Sequence, residues 1–99
     1  MFSEPTNNGF FIYSKTKCSY CDKVKQLLKN NRYSYSEVNC DEYLSNETKK
    51  ESFLSFIELL TNRDYRTFPM VFKDGVFIGG FTDTREYIEK LLCFEMNDF

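Results

Sequence analysis

Two cysteines, Cys18 and Cys21, are the residues of this sequence with the clearest capacity for chemistry. They are separated by two residues, follow a short apolar run typical of a buried strand, and open a segment with the apolar spacing of a helix. A Cys-x-x-Cys pair in that context indicates a redox-active dithiol. Because a helix N-terminus offers unpaired N–H donors and a partial positive charge, it lowers the pKa of a thiol placed there. We therefore expect Cys18 to be the nucleophilic thiolate and Cys21 to be the resolving thiol.

The other cysteines do not extend this pair into a metal site. Cys40 and Cys93 lie far apart in the sequence, the chain contains no histidine, and a structural zinc site usually takes two close pairs of ligands. The absence of histidine also excludes Cys-His and Ser-His catalysis. We therefore predict no metal ligands, and we interpret Cys40 and Cys93 as packing residues.

Charge is distributed unevenly around the cysteines. The whole sequence has a formal net charge of −2, which argues against a general nucleic-acid binder. Residues 15–32, however, contain six lysines or arginines and one aspartate. The longest apolar runs are far shorter than the ~20 residues of a membrane-spanning helix, and the N-terminus lacks the basic and apolar regions of a secretory signal. We expect a cytoplasmic protein with neither nucleic-acid nor membrane partners.

The elements that must position the cysteines are short strands and helices. A chain of 99 residues makes one domain, which we assign to residues 9–96, after a loose N-terminal segment at 1–8. Strand patterns occur at 9–14, 33–39, 70–72 and 76–78, and helix patterns follow Cys18 and cover about 46–61 and 83–94. The second and third helices are predicted to bury Phe53, Phe56, Ile57 and Leu60, and Tyr87, Ile88, Leu91 and Leu92, respectively.

The order of these elements predicts the fold class. A helix between the first two strands indicates a right-handed parallel crossover, and Asp74-Gly75 between the last two strands indicates a hairpin. The order β-α-β-α-β-β-α therefore predicts an α/β fold of three layers, with a four-stranded mixed sheet and helices on both faces.

Three segments of the sequence resemble the signature segments of the glutaredoxins. They are Lys15-Thr16-Lys17-Cys18-Ser19-Tyr20-Cys21, Arg66-Thr67-Phe68-Pro69-Met70-Val71-Phe72 and Gly79-Gly80-Phe81-Thr82-Asp83. They occur in the family's order and at nearly its spacing, and the resemblance covers about residues 9–94. The chain is thus similar to a dithiol glutaredoxin with a Cys-Ser-Tyr-Cys active site, and the resemblance implies a thioredoxin-like fold.

The resemblance also implies a glutathione site next to Cys18. In the family the proline of the second segment is cis, and the backbone of the residue before it pairs with the cysteinyl part of glutathione. Lysine and arginine suit the carboxylates of glutathione, and an aspartate suits its α-ammonium. Because glutathione carries net negative charge, a basic rim would also raise the rate at which it encounters the site. Carried over by position, the glutathione-binding residues are Lys15, Tyr20, Arg66, Thr67, Phe68, Pro69, Gly80, Thr82 and Asp83, with Arg63 as an alternative to Arg66 for the glycine carboxylate.

The sequence departs from the family pattern at three places. Ser19 stands where the common dithiol form has proline, which restores a backbone donor and adds a hydroxyl. Phe68 replaces a small aliphatic residue and is expected to narrow the groove. The connection at 62–65 is slightly longer than usual, which affects the residues that bind the glycine carboxylate.

The function implied is that of a glutathione-dependent thiol–disulfide oxidoreductase in electron transport and cell redox homeostasis. It would reduce protein–glutathione mixed disulfides and protein disulfides, such as one in ribonucleotide reductase, as a monomer. One alternative is a carrier or sensor of a [2Fe–2S] cluster, ligated by Cys18 and by glutathione thiols between two subunits. Another is a thioredoxin-type reductase fed by a flavoenzyme, against which stand the absence of tryptophan and the segment Gly79–Asp83.

Overall fold

The computed structural model describes residues 2–96. Its strands and helices follow one another in the predicted order. The strands are β1 (Phe10–Ser14), β2 (Tyr35–Asn39), β3 (Met70–Lys73) and β4 (Val76–Gly79). The helices are α1 (Ser19–Asn30), α2 (Glu47–Thr61) and α3 (Phe81–Met96), with a short 3₁₀ turn at Glu42–Leu44. Within the same residues, no helix is long and apolar enough to cross a membrane.

The four strands form one mixed sheet in the order β2-β1-β3-β4. β1 runs parallel to β2, with Phe10 opposite Tyr35, and antiparallel to β3, with Phe10 opposite Lys73. β3 and β4 form the predicted antiparallel hairpin. Because parallel strands cannot be joined by a tight turn, α1 makes the crossover between β1 and β2 and begins at the end of the central strand.

A hydrophobic layer lies on each face of the sheet, as the three-layer prediction requires. β1 is buried along its whole length because it is a central strand, and its alternate side chains enter opposite layers. One layer, on the α2 side, consists of Phe11, Tyr13, Cys40, Phe53, Leu54, Ile57, Met70 and Phe72. The other, beneath α1 and α3, consists of Phe10, Ile12, Val24, Leu28, Val71 and Ile88.

The N-terminal segment is attached to the first layer, which the sequence did not indicate. The Phe2 ring lies 4.8 Å from that of Tyr43 and 5.4 Å from that of Phe53, centroid to centroid. The Ser3 N–H donates to the Tyr43 hydroxyl at 3.2 Å, and the Tyr13 hydroxyl donates to the Ser3 carbonyl at 2.5 Å. Residues 2–8 thus form no strand or helix but contact the core at their start.

β2 begins two residues later than predicted because the chain first closes the end of α1. Arg32 has a left-handed backbone, with a φ of 64°. The Tyr33 N–H donates to the Leu28 carbonyl at 2.9 Å, and the Arg32 N–H donates to the Lys29 carbonyl at 3.0 Å. These are the two bonds of a Schellman motif, which satisfies carbonyls that the helix leaves unpaired. Tyr35 is therefore the first residue free to pair with β1.

Two leucines that we predicted to be core residues are partly exposed. Leu60 and Leu92 each keep 37% of their surface accessible. They follow Ile57 and Ile88, the last buried positions described in α2 and α3. Leu54, which the pattern did not single out, is buried instead.

Phe53 is the centre of the aromatic layer under α2, and its truncation tests the packing. It is fully buried, and its ring lies 5.4 Å from that of Tyr13 and 5.2 Å from that of Tyr43. We expect Phe53→Ala to lower the free energy of unfolding by about 3–5 kcal/mol, because a cavity replaces these contacts. Leu59→Ala, on the exposed side of the same helix, is expected to change it by no more than about 0.5 kcal/mol. Equal urea midpoints for the two variants would contradict this account of the core.

Candidate active site

Cys18 lies at the junction of β1 and α1, where it caps the N-terminus of the helix. Its backbone is extended, and its Sγ accepts a hydrogen bond from the Cys21 N–H at 3.2 Å. Its carbonyl accepts the first helical bond, from the Asp22 N–H at 3.1 Å. A sulfur in this position therefore receives one of the N–H groups that a helix leaves unpaired at its start.

The two cysteines of the motif are joined and differ in accessibility. Cys18 and Cys21 form a disulfide, with their Cα atoms 5.2 Å apart. Cys21 is 1% exposed, because it faces inward from the first turn of α1, whereas Cys18 is only half-buried. A thiol approaching from outside therefore reaches the sulfur of Cys18 and not that of Cys21.

The loop that precedes Cys18 is held by the end of the neighbouring strand. The Thr16 N–H donates to the Asp41 carboxylate at 2.9 Å, and the Thr16 hydroxyl donates to the same carboxylate. The Asn39 amide donates to the Thr16 hydroxyl at 3.3 Å. These bonds from Thr16, together with the charge of Lys15, lower the pKa of Asp41. Asp41 and Asn39 are not among the predicted site residues, although the parallel pairing of β1 and β2 brings the residues at the ends of these strands to one edge of the sheet.

Phe68 and Pro69 bring a second backbone segment to the sulfur. The Phe68–Pro69 peptide bond is cis, as the resemblance implied, and Pro69 is buried. The Phe68 carbonyl oxygen lies 3.8 Å from Cys18 Sγ. The backbone before the proline therefore lies directly beside the cysteine.

Gly79, the last residue of β4, and Gly80, which follows it, leave room for a carboxylate at the start of α3. The Gly80 N–H donates to Asp83 Oδ2 at 3.3 Å, and the Gly80 carbonyl accepts from the Thr84 N–H at 3.0 Å. Gly79 has a φ of +134°, and a Cβ there would lie 2.2 Å from Asp83 Oδ2. A Cβ at Gly80 would lie 2.9 Å from the Tyr65 hydroxyl. Because α3 begins at Phe81, Asp83 lies in its first turn, and its carboxylate accepts the N–H of the residue that precedes the helix.

One cleft of about 550 Å³ brings the predicted binding residues together. Its walls come from the loop before Cys18, the first turn of α1, the loop before β3 and the start of α3. The lining residues are Lys15, Tyr20, Tyr65, Arg66, Thr67, Phe68, Pro69, Gly80, Phe81, Thr82 and Asp83. All nine predicted glutathione-binding residues are among them. Tyr65 and Phe81 are additions, which the aromatic character of their two segments could have indicated.

The cations of the cleft are not equivalent. The Arg66 guanidinium lies 3.2 Å from a Glu51 oxygen and 2.9 Å from an Asp64 oxygen, so its charge already has two partners. The Lys15 ammonium lies 5.6 Å from the centre of the Phe68 ring. Arg63, the other predicted carboxylate ligand, instead lies over the Phe77 ring at 5.8 Å.

The Lys15 ammonium rests on an aromatic stack. The Phe68 ring is nearly parallel to the Phe53 ring, with their centroids 6.3 Å apart. The bulky residue that departs from the family pattern, Phe68, therefore stacks on a core residue and also contacts the cation.

The remaining cysteines differ from each other. Cys40 is fully buried, and this burial raises the pKa of its thiol to about 12. Its interpretation as a packing residue is confirmed. The same interpretation is wrong for Cys93, which is exposed on α3, because that part of the helix lies beyond its last described buried residue, Ile88.

The Asp41 contacts predict a stability that depends on pH. The pKa of Asp41 is lowered in the folded chain, so its contribution is present above the ordinary aspartate pKa of about 3.9 and is lost as the pH falls through the lowered value. We expect Asp41→Asn to be less stable than the natural chain at pH 7 and this difference to shrink on acidification. Thermal unfolding temperatures of the natural chain and Asp41→Asn, measured from pH 7 down through the lowered pKa of Asp41, give this difference. Glu58→Gln, which removes an exposed carboxyl on α2, is the control. If the difference between the natural chain and Asp41→Asn stays constant with pH, the role assigned to Asp41 is contradicted.

Comparison with known proteins connects this site to a family. The family model described as Glutaredoxin matches residues 10–78. A curated relative, mitochondrial glutaredoxin-2 of Bos taurus, is 40% identical over 81 residues, which cover 80% of this chain and 46% of that protein. This chain therefore spans about half the length of the first curated relatives it matches.

Solved structures show the same architecture. Glutaredoxin 1 from Francisella tularensis, crystallised with cacodylate, superposes with a TM-score of 0.72 and 26% identity, over 84% of this chain and 94% of that one. A buckwheat glutaredoxin–glutathione complex superposes with a TM-score of 0.67 and 28% identity, over 86% and 72% of the two chains. The thioredoxin-like fold is thereby confirmed.

Proposed function

Because the chain belongs to the glutaredoxin family, we propose that it is a glutathione-dependent thiol–disulfide oxidoreductase. The observation that carries the proposal is the accessible sulfur of Cys18, placed at the N-terminus of α1, joined to the buried Cys21 and bordered by the cleft. Its substrates are protein–glutathione mixed disulfides and protein disulfides.

In the first reaction, one cysteine is sufficient. The Cys18 thiolate attacks the glutathione sulfur of a mixed disulfide, so the Cys18–glutathione bond forms, the substrate sulfur leaves with the electron pair, and that sulfur takes up a proton. A second glutathione thiolate then attacks the same glutathione sulfur. Oxidised glutathione leaves, and the Cys18 thiolate is regenerated. The Cys21 N–H stabilises negative charge on the Cys18 sulfur before attack and on departure.

In the second reaction, both cysteines take part. The Cys18 thiolate attacks one sulfur of a protein disulfide and releases the other as a thiolate. Cys21 then loses its proton and attacks Cys18, which forms the Cys18–Cys21 disulfide and releases the second substrate thiol. The 5.2 Å between their Cα atoms suits this bond. Two glutathiones supply the electrons that return the pair to the dithiol.

The cleft offers complementary charges to the two ends of glutathione. Asp83, whose carboxylate is held by the Gly80 N–H, suits the α-ammonium of the γ-glutamyl end. Lys15 suits the glycine carboxylate, and its ammonium lies over the Phe68 ring that lines the cleft. The Phe68 backbone next to Cys18 is placed to pair with the cysteinyl part. A relative solved as a glutathione complex supports this choice of co-substrate.

The two cysteines are distinguished by paired variants. We expect Cys18→Ser to abolish both reactions, because no other sulfur of the motif is accessible, and Cys21→Ser to keep turnover of a glutathionylated peptide while losing reduction of a protein disulfide. Cys93→Ser, outside the site, is expected to keep both. The assay follows NADPH oxidation with added glutathione and glutathione reductase. Full activity of Cys18→Ser would overturn the mechanism.

The unequal cations of the cleft give a second prediction. We expect Lys15→Met, which removes the charge but keeps an apolar stem over Phe68, to raise KM for glutathione on the order of fivefold with kcat little changed. Asp83→Asn, which keeps the shape, is expected to act in the same direction. Arg66→Ala should raise KM less, because Glu51 and Asp64 already neutralise its guanidinium. A larger effect at Arg66 than at Lys15 would contradict this assignment.

The remaining partners and alternatives stay predictions. Ribonucleotide reductase as a substrate, a monomeric state and a cytoplasmic location are proposed on the resemblance. Anaerobic reconstitution and the visible spectrum test the [2Fe–2S] carrier, which a colourless monomer would exclude. Turnover that is unchanged when glutathione is left out would instead favour the thioredoxin-type reductase.

A further inference from the structure

An aromatic pair joins the first turns of α1 and α3 at the rim of the cleft. The rings of Tyr20 and Phe81 lie 6.0 Å apart between centroids, within the range of favourable ring contacts. Tyr20 is next but one to Cys18 in the chain and keeps 53% of its surface exposed. The exposed Tyr20 ring, supported by the partly buried Phe81 ring, offers contact area to the molecule that carries the substrate disulfide.

A cation lies against each ring. The Lys23 ammonium lies 4.8 Å from the centre of the Tyr20 ring, and the Arg85 guanidinium carbon lies 5.6 Å from the centre of the Phe81 ring. Both side chains belong to exposed residues. Lys23 is three residues after Tyr20 and Arg85 four residues after Phe81, the spacings that stack side chains on one helix face. We call Tyr20, Lys23, Phe81 and Arg85 the aromatic–cation surface.

The acidic residues close to Lys23 and Arg85 in the sequence face other groups or another groove. Asp22 lies 4.0 Å from the Lys25 ammonium, and the Asp83 carboxylate accepts the Gly80 N–H. Glu86 lines the neighbouring groove between α3 and β4, to which Asp83 also contributes. The positive ends of the α1 and α3 dipoles add to the charge of the surface.

We propose that the aromatic–cation surface docks polypeptide substrates whose disulfide is flanked by acidic residues. The inference rests on the proposed function and names the substrate class that the same site prefers. Tyr20 and Phe81 line the cleft, whereas Lys23 and Arg85 lie outside the set that lines it. A tripeptide therefore occupies the cleft, and a longer polypeptide bound to the substrate sulfur extends over the rim to the two cations. Opposite charges at such a rim act mainly on the rate of association.

The test compares two glutathionylated peptides that differ only in the residues flanking their cysteine, which are glutamates in one and lysines in the other. The mixed disulfide of glutathione and 2-mercaptoethanol serves as a small substrate without a polypeptide. We expect kcat/KM for the acidic peptide to exceed that for the basic peptide about tenfold at low salt, and the ratio to fall as salt is added. Equal values for the two peptides would overturn the proposal.

Charge-reversal variants locate the effect. Arg85→Glu and Lys23→Glu should each reduce the ratio of acidic to basic turnover severalfold, whereas a change in the encounter with glutathione itself would affect both peptides and the small disulfide alike and leave the ratio unchanged. Lys90→Glu, which makes the same change of charge further along α3 beside the β4 groove, is the matched control and should keep the ratio. Because the ratio does not depend on the fraction of folded enzyme, a poorly folding variant still reports on docking.

The outcomes separate this inference from the function on which it rests. A ratio that falls as much in Lys90→Glu as in Arg85→Glu would overturn the docking surface and leave the oxidoreductase intact. A natural chain that does not turn over the small mixed disulfide with glutathione would overturn the proposed function itself.

Discussion

The site depends on one contact, the hydrogen bond from the Cys21 N–H to the sulfur of Cys18. This bond exists because α1 begins just after a central strand. Cys18 is therefore the N-cap of the helix, and the side chain of Cys21, one turn later, points into the core. A single turn of helix thereby makes one sulfur accessible and hydrogen-bonded and keeps the other covered. Phe68, which precedes the cis peptide bond, lies beside that sulfur and also lines the cleft, so both features adjoin Cys18.

Polar bonds between neighbouring strands keep this helix start in place. Asp41 after β2 binds the backbone and hydroxyl of Thr16 before the helix. Further along, Glu37 of β2 accepts from the Ser14 hydroxyl at 2.5 Å and from the Lys25 ammonium at 2.9 Å, so it connects β1 and α1. Both hydrogen bonds lower the pKa of Glu37 although burial opposes the shift. Hydrogen bonds to the β2 side of the parallel pair thus hold both the loop before Cys18, through Thr16, and the helix after it, through Lys25.

The features that could be predicted from the sequence are those carried by contiguous residues. The dithiol and the order of the elements follow from local spacing and periodicity, and the cis proline and nine residues of the cleft follow from the resemblance that three short segments carry. The pairing of Arg66 with Glu51 could not be predicted, because Glu51 comes from a different element and only the packing of α2 brings it near. Asp41 could have been indicated by the parallel pairing of β1 and β2, whereas the exposure of Cys93 depends on how α3 packs against the sheet.

The burial of Cys40 determines how its thiol reacts with oxidants. Peroxide attacks thiolates, and a thiol with a pKa of about 12 is almost wholly protonated at cellular pH. Reaction with hydrogen peroxide is therefore slow at this sulfur, which lies in the aromatic layer between the sheet and α2. A sulfenic acid at this position, which would add an oxygen atom to a fully buried side chain, is thereby disfavoured.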